Sequence, residues 1–209
     1  MTIILYIAVL LFSTVIHEVA HGYAAHLRGD DTAKMAGRIT LNPVPHIDLF
    51  GTIVLPAVML LFNSPVLFGW AKPVPVNTYR LQNPKTDIAL VSAAGPLSNV
   101  LLAAVSGLGI RFIRMFPDFG AGLGATIEAC LYVMVLVNAV LLVINLLPIP
   151  PLDGSKVITY FLPPELAVKY LNLNPYMCFF ILIILLSSGI IWRFVGPVIN
   201  LLIKLFAGA

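Results

Sequence analysis

Two histidines and a glutamate share one helical turn inside the first apolar run, as His17-Glu18-Val19-Ala20-His21. Residues four apart leave the same face of a helix, so both imidazoles can reach one metal ion. Glu18, beside the first of them, can meet a water on that ion without binding the ion itself. The chemistry this spacing suits is that of zinc, one ion per chain, activating water near neutral pH. The competing reading is two satisfied core histidines and a buried acid. It is weak, because lipid supplies no partner to any of the three.

A catalytic zinc takes three protein ligands and keeps one position open. Among the acids, Asp153 is the best placed third ligand. Pro148, Pro150 and Pro151 remove helical options before it, and Gly154 lets the backbone turn close to an ion. Its other possible role is to cap a helix starting near Ser155. His26 points off the metal face. His46, after Pro45 in a polar loop, is a candidate extra ligand or substrate contact, with a plain loop histidine as the competing reading. Asn145 and Asn99 are candidate neutral donors to a developing oxyanion, unless they only tie helices together.

The elements that position these residues must be membrane helices. The chain is 60% hydrophobic and 10% charged over 209 residues, with a mean hydropathy of +1.00. A water-soluble domain of that length has no way to hide so much apolar surface. One integral membrane domain is expected over 1–209, all-α and polytopic, with four to five apolar helices. A net charge of +3, scattered along the chain, gives no footing for nucleic acid. Cys130 and Cys178 lie in separate apolar runs and make neither a disulfide framework nor a thiolate zinc site. The first run lacks a basic start and carries the His-Glu motif, so it does not read as a cleavable signal.

Apolar runs are expected at about Thr2–Leu27, Thr86–Phe112, Ala125–Leu147 and Tyr176–Phe206, the last broken by Gly189 and Gly196-Pro197 into a kinked span or a span plus an interfacial helix. Short extended segments are expected near 37–41 and 71–77, the former from alternation and the latter from prolines. If His17, His21 and Asp153 share one ion, the first and fourth runs must cross in the same direction. Residues 51–69, interrupted by Pro56 and Pro65, should then form a re-entrant or interfacial hairpin. That topology gathers Arg28, Lys34, Arg38, Lys72, Arg80, Lys85, Lys156 and Lys169 on the metal face. The positive-inside rule turns that face to the cytoplasm of a multi-pass protein of the cell membrane.

His17-Glu18-Val19-Ala20-His21, together with Asn145-x-x-Pro148-x-Pro150-x-x-Asp153-Gly154, resembles the site-2 proteases, zinc peptidases that cut inside membranes. Gly95-Pro96-Leu97-Ser98-Asn99 is similar to that family's intermediate Gly-x-x-x-Asn element. The resemblance implies His17, His21 and Asp153 as zinc ligands, Glu18 as acid/base, and Gly95, Asn99 and Asn145 near substrate or oxyanion. It also implies a compact type without a PDZ insertion, in the lipid bilayer, hydrolysing a transmembrane protein or peptide. An extended edge at 37–41 or 74–77 would hold the unwound substrate by backbone pairing. The rival classes are a divalent-cation transporter or channel built on the same His/Glu/Asp cluster, and an inactive membrane-protein-binding relative.

Overall fold

The computed structural model describes residues 2–62, 69–116 and 122–208, and among them it holds helices, turns and irregular backbone but no strand. In chain order the α-helices are α1 (Thr2–Leu27), α2 (Thr32–Met35), α3 (Leu55–Leu61), α4 (Pro84–Arg114), α5 (Leu123–Asn145), α6 (Asp153–Ile158), α7 (Pro164–Leu171), α8 (Pro175–Ser187) and α9 (Ile190–Ala207). Four of them, α1, α4, α5 and α9, are long and apolar enough to cross a membrane.

α1 runs uninterrupted until Gly29, whose φ of +97° ends the helix. The chain returns to that end before α4 begins: Gln82 N–H donates to Arg28 O at 3.2 Å, and Asp87 in the first turn of α4 lies 3.6 Å from the Arg28 guanidinium. α4 is therefore antiparallel to α1. α5 then runs parallel to α1, with Val9 packed against Val133 and Val137. α9 presents Ile191, Val195, Ile199, Ile203 and Ala207 at every fourth position to Ile110 of α4 and to Val135 and Ala139 of α5. The last apolar run is two helices, because Gly189 takes a φ of +76° between them.

The described residues on either side of 63–68 meet at Gly51 and Gly69. Asp48 accepts from Gly51 N–H at 2.7 Å and opens a π-helical turn, Leu49–Val54, that runs into α3. On the way out, Trp70 N–H donates to Gly51 O at 3.2 Å, and the Thr52 hydroxyl donates to Trp70 O at 2.9 Å. A Cβ on Gly69 would lie 2.6 Å from Gly51 O, so the two arms touch backbone to backbone. Entry and exit thus lie at one place, as the arms of the expected hairpin would; Pro65 and the rest of 63–68 lie outside the described residues.

Of the two segments expected to be extended, 37–41 turns. Gly37 (φ +63°) terminates α2, Arg38 N–H folds back to Ala33 O at 2.9 Å, and bends follow. The 71–77 stretch is non-helical but pairs with no strand. Lys72 N–H donates to His46 O at 2.8 Å, Val74 N–H to Glu18 Oε2 at 2.8 Å and Asn77 N–H to Asp30 Oδ2 at 2.6 Å. Pro73 and Pro75 have no N–H to give. Three of the stretch's five N–H groups, those of Lys72, Val74 and Asn77, are therefore spent on the protein itself.

Candidate metal centre

His17 and His21 come from the third quarter of α1, one turn apart on the face toward α4. Asp153 is the first residue of α6, delivered by the loop after α5, in which the Pro150–Pro151 bond is cis. Asp153 Oδ2 lies 3.0 Å from His17 Nε2 and 3.1 Å from His21 Nε2, and the two Nε2 atoms lie 3.1 Å apart. Around a tetrahedral zinc with bonds of about 2.0–2.1 Å, donor atoms stand ~3.3 Å from one another. The triangle has nearly that size. Among the described residues these three are the group able to hold a metal ion.

The outer nitrogens are spoken for. His21 Nδ1 donates to Val91 O at 2.7 Å, and His17 Nδ1 donates to Asn99 Oδ1 at 2.7 Å. Both Nε2 lone pairs therefore face the carboxylate oxygen, and three electron-rich atoms in mutual contact need a positive charge between them, a proton or a cation. Two neutral imidazoles and a carboxylate, closed on one side and short of a fourth ligand, are the donor set of a zinc site with an open position. When the charge between them is a proton, burial works against the charged form of Asp153, but hydrogen bonds from the protonated His17 and His21, and the charge they then carry, outweigh it and hold the carboxyl well below its usual range. The ionised form a cation takes is the one present.

Gly95 forms the floor. A Cβ there would meet His21 Nε2 at 2.4 Å and His17 Nε2 at 2.6 Å, so only glycine lets α4 lie this close to the imidazoles. Gly154 does the same for Asp153: its Cβ would lie 2.2 Å from Leu146 O. Glu18 sits beside His17 with Oε2 accepting from Val74 N–H, which leaves Oε1 without a protein donor among the hydrogen bonds found. Asn99 is fully buried, and both ends of its amide are engaged, Oδ1 with His17 and Nδ2 with Asn138. Asn145 at the end of α5 donates to Leu141 O at 3.0 Å. His46 lies outside the cluster; its Nε2 is 3.0 Å from Thr40 O, and its backbone carbonyl braces Lys72. The sequence reading passes over Asn138, although a single amide in the apolar run of α5 needs a partner. It also passes over Asp30, which reads only as part of the helix stop Arg28-Gly29-Asp30-Asp31.

An apolar cavity of about 470 Å³ lies along the half of α1 that precedes the imidazoles, and none of the metal-facing residues lines it. Tyr6, Leu10 and Thr14 of α1, Val140 of α5, Trp70 of the hairpin's exit and Trp192 of α9 line it. Thr14, one turn before His17, is its lining residue nearest the imidazoles along α1, and from there it follows the helix back to Ile3.

The model of the family described as "Peptidase family M50" matches residues 109–185, a range that contains Asp153. The chain is similar to "Putative zinc metalloprotease YwhC" of Bacillus subtilis, 36% identical over 205 residues, covering 95% of this chain and 89% of that protein. It is also similar to "Putative zinc metalloprotease Rip2" of Mycobacterium tuberculosis, 29% identical over 195 residues, 93% of this chain and 71% of the relative. The protein of the same name from Mycolicibacterium smegmatis is 32% identical over 162 residues, 78% of this chain and 59% of the relative. No solved structure matches.

Proposed function

Because this chain belongs to peptidase family M50, we propose that it is a zinc metalloprotease hydrolysing a peptide bond in or near the transmembrane segment of a membrane-protein substrate. The observation that carries the reading is the convergence of His17, His21 and Asp153 on one point, with Glu18 next to His17 in α1. Those three hold the ion and Glu18 is the acid/base. Zinc in such a site polarises the scissile carbonyl and makes water nucleophilic near neutral pH.

This chain's own groups do the rest. Glu18, steadied through Oε2 by Val74 N–H, takes the proton of the attacking water on Oε1 and returns it to the leaving amine. Asn99, spent on His17, orients that ligand; Asn145 remains the candidate donor to the oxyanion. The cavity beginning at Thr14 supports a substrate that arrives within the bilayer, since its wall is apolar and it lies along a spanning helix. The domain comprises residues 1–209, and the excess of Lys and Arg at the end of α1 and the start of α4 supports a metal end that faces the cytoplasm from the cell membrane.

The test is zinc content and cleavage of a transmembrane peptide by wild type and E18Q in lipid nanodiscs. E18Q should keep about one zinc per chain and lose at least 10²-fold in kcat, the lower end of what a positioned proton-transfer group contributes. Cleavage by E18Q at the wild-type rate, or cleavage by metal-free wild type, would reject the reading.

A further inference from the structure

The two metal-facing imidazoles have their tautomers set in different ways. For His21 the setting is direct: Val91 O is a backbone carbonyl that can only accept, so Nδ1 carries the proton. For His17 the partner is an amide, Asn99, whose oxygen and nitrogen could exchange places. Something must decide which end of Asn99 faces the ring.

That decision is traceable through α4 to α5. Asn99 Nδ2 donates to Asn138 Oδ1 at 2.8 Å. Asn138 Nδ2 donates to Met134 O, one turn back on α5, at 2.9 Å, and to Ser13 Oγ at 2.9 Å. Ser13, Asn99 and Asn138 are all fully buried, so no water competes. Met134 O can only accept, and it fixes the nitrogen of Asn138. The oxygen of Asn138 then meets Asn99 and fixes its nitrogen; the oxygen of Asn99 meets His17 and fixes a proton on Nδ1. Reversing either amide puts two oxygens or two N–H groups face to face in a dry interior, which costs far more than the ordinary freedom of an amide to flip.

We infer that Asn138 is a positioning residue for the metal centre: with Asn99 it transmits the polarity of the Met134 carbonyl to His17 and keeps Nε2 bare for the ion. The inference rests on the proposed reading of His17 as a zinc ligand. Ser13 is peripheral to it, because a hydroxyl both donates and accepts and so fixes no direction.

The experiment uses the full chain in nanodiscs, with zinc affinity read by chelator competition and the presence or absence of a proton on each Nδ1 in zinc-free protein read by ¹⁵N NMR. In wild type both His17 and His21 should carry the proton on Nδ1. N138L should weaken zinc binding by about 10–100-fold, the usual effect of losing a partner that orients a ligand, and should shift His17, but not His21, toward the Nε2–H form. N99D added to N138L should recover most of the affinity, since a carboxylate presents an acceptor to Nδ1–H whichever way it turns; a residue that merely holds helices together would not be rescued this way. S13A should stay within about threefold of wild type, the ordinary context-dependent spread for a lost neutral contact. A bare Nδ1 on wild-type His17, undiminished zinc affinity in N138L, or no recovery in the double variant would each overturn the inference. The wild-type spectrum decides even if N138L does not fold. Absence of zinc binding by wild type would instead reject the zinc reading on which this one stands.

Discussion

At the scale of single residues, the centre is governed by what cannot be added as much as by what is present. Gly95 lies under both imidazoles, and the nearest atoms to a Cβ there are the Nε2 atoms proposed to bind the ion. G95A should therefore leave the helices assembled and cost the protein its metal. We expect zinc affinity to fall at least tenfold, with α-helical circular dichroism unchanged; equilibrium dialysis against zinc measures the first quantity. His17, Glu18 and His21 were legible in the sequence because helical spacing alone puts two imidazoles on one face. Asp153 was legible because three prolines and a glycine surround it for no other evident purpose. Asn138 was not, since a lone amide in a span says only that a partner exists and not which one. Glu18's contact with Val74 was hidden for a different reason: it joins positions 56 apart in the chain, and no local pattern encodes that meeting.

At the scale of elements, the irregular stretch from Trp70 to Asn77 is secured to α1 at two levels, by Glu18 through Val74 and by Asp30 through Asn77. Burial alone would push the Asp30 carboxyl up, but hydrogen bonds from the Thr32 hydroxyl, the Asn77 and Thr32 amides, and the charge of Arg80 more than compensate and lower it. A carboxyl lowered on folding stabilises the fold fully above its ordinary value of about 3.9 and loses that contribution as pH falls through the lower folded value. Thermal melts should thus show a loss of stability that begins below about pH 4 and is smaller in D30N. At neutral pH D30N itself should cost about 2 kcal/mol, the worth of exchanging hydrogen bonds to a charged acceptor for weaker ones. The meeting of Gly51 with Gly69 was foreseeable from topology because two helices proposed to deliver ligands had to run the same way. The bend at 37–41 escaped the alternation rule because Gly37 closes a helix too short to be recognised by periodicity.

At the scale of the whole molecule, α4 is the central helix: it packs on α1, α5, α6 and α9, and it supplies Val91, Gly95 and Asn99 to the rear of the centre. The resulting topology puts Lys34 and Lys72 at the end of the bundle that holds the centre, and Arg111 at the other. In a variant lacking Cys130 and Cys178, single cysteines at Lys34 and Lys72 should react with an impermeant maleimide from the same side of a sealed vesicle, and one at Arg111 from the opposite side. Labelling of Lys34 and Lys72 positions from opposite sides would mean that 51–69 crosses the bilayer. Four apolar runs were readable from hydropathy, one for each described helix long enough to cross a membrane. Their arrangement was not: it depended on supposing that two motifs share an ion.

His17 and Asp153 lie 136 positions apart and meet at 3.0 Å. An ion seated between them is a removable staple, closing a loop that takes in most of the chain and locking the α5–α6 turn onto the first span. Stripping it should cost more than turnover. Chelation by EDTA should lower the midpoint of thermal unfolding, and readdition of zinc should restore it in steps that follow free-ion concentration, approaching about 2.7 kcal/mol at a hundredfold excess over the dissociation constant. For such a protein, the supply of zinc at assembly would set how much enzyme survives as well as how fast it works.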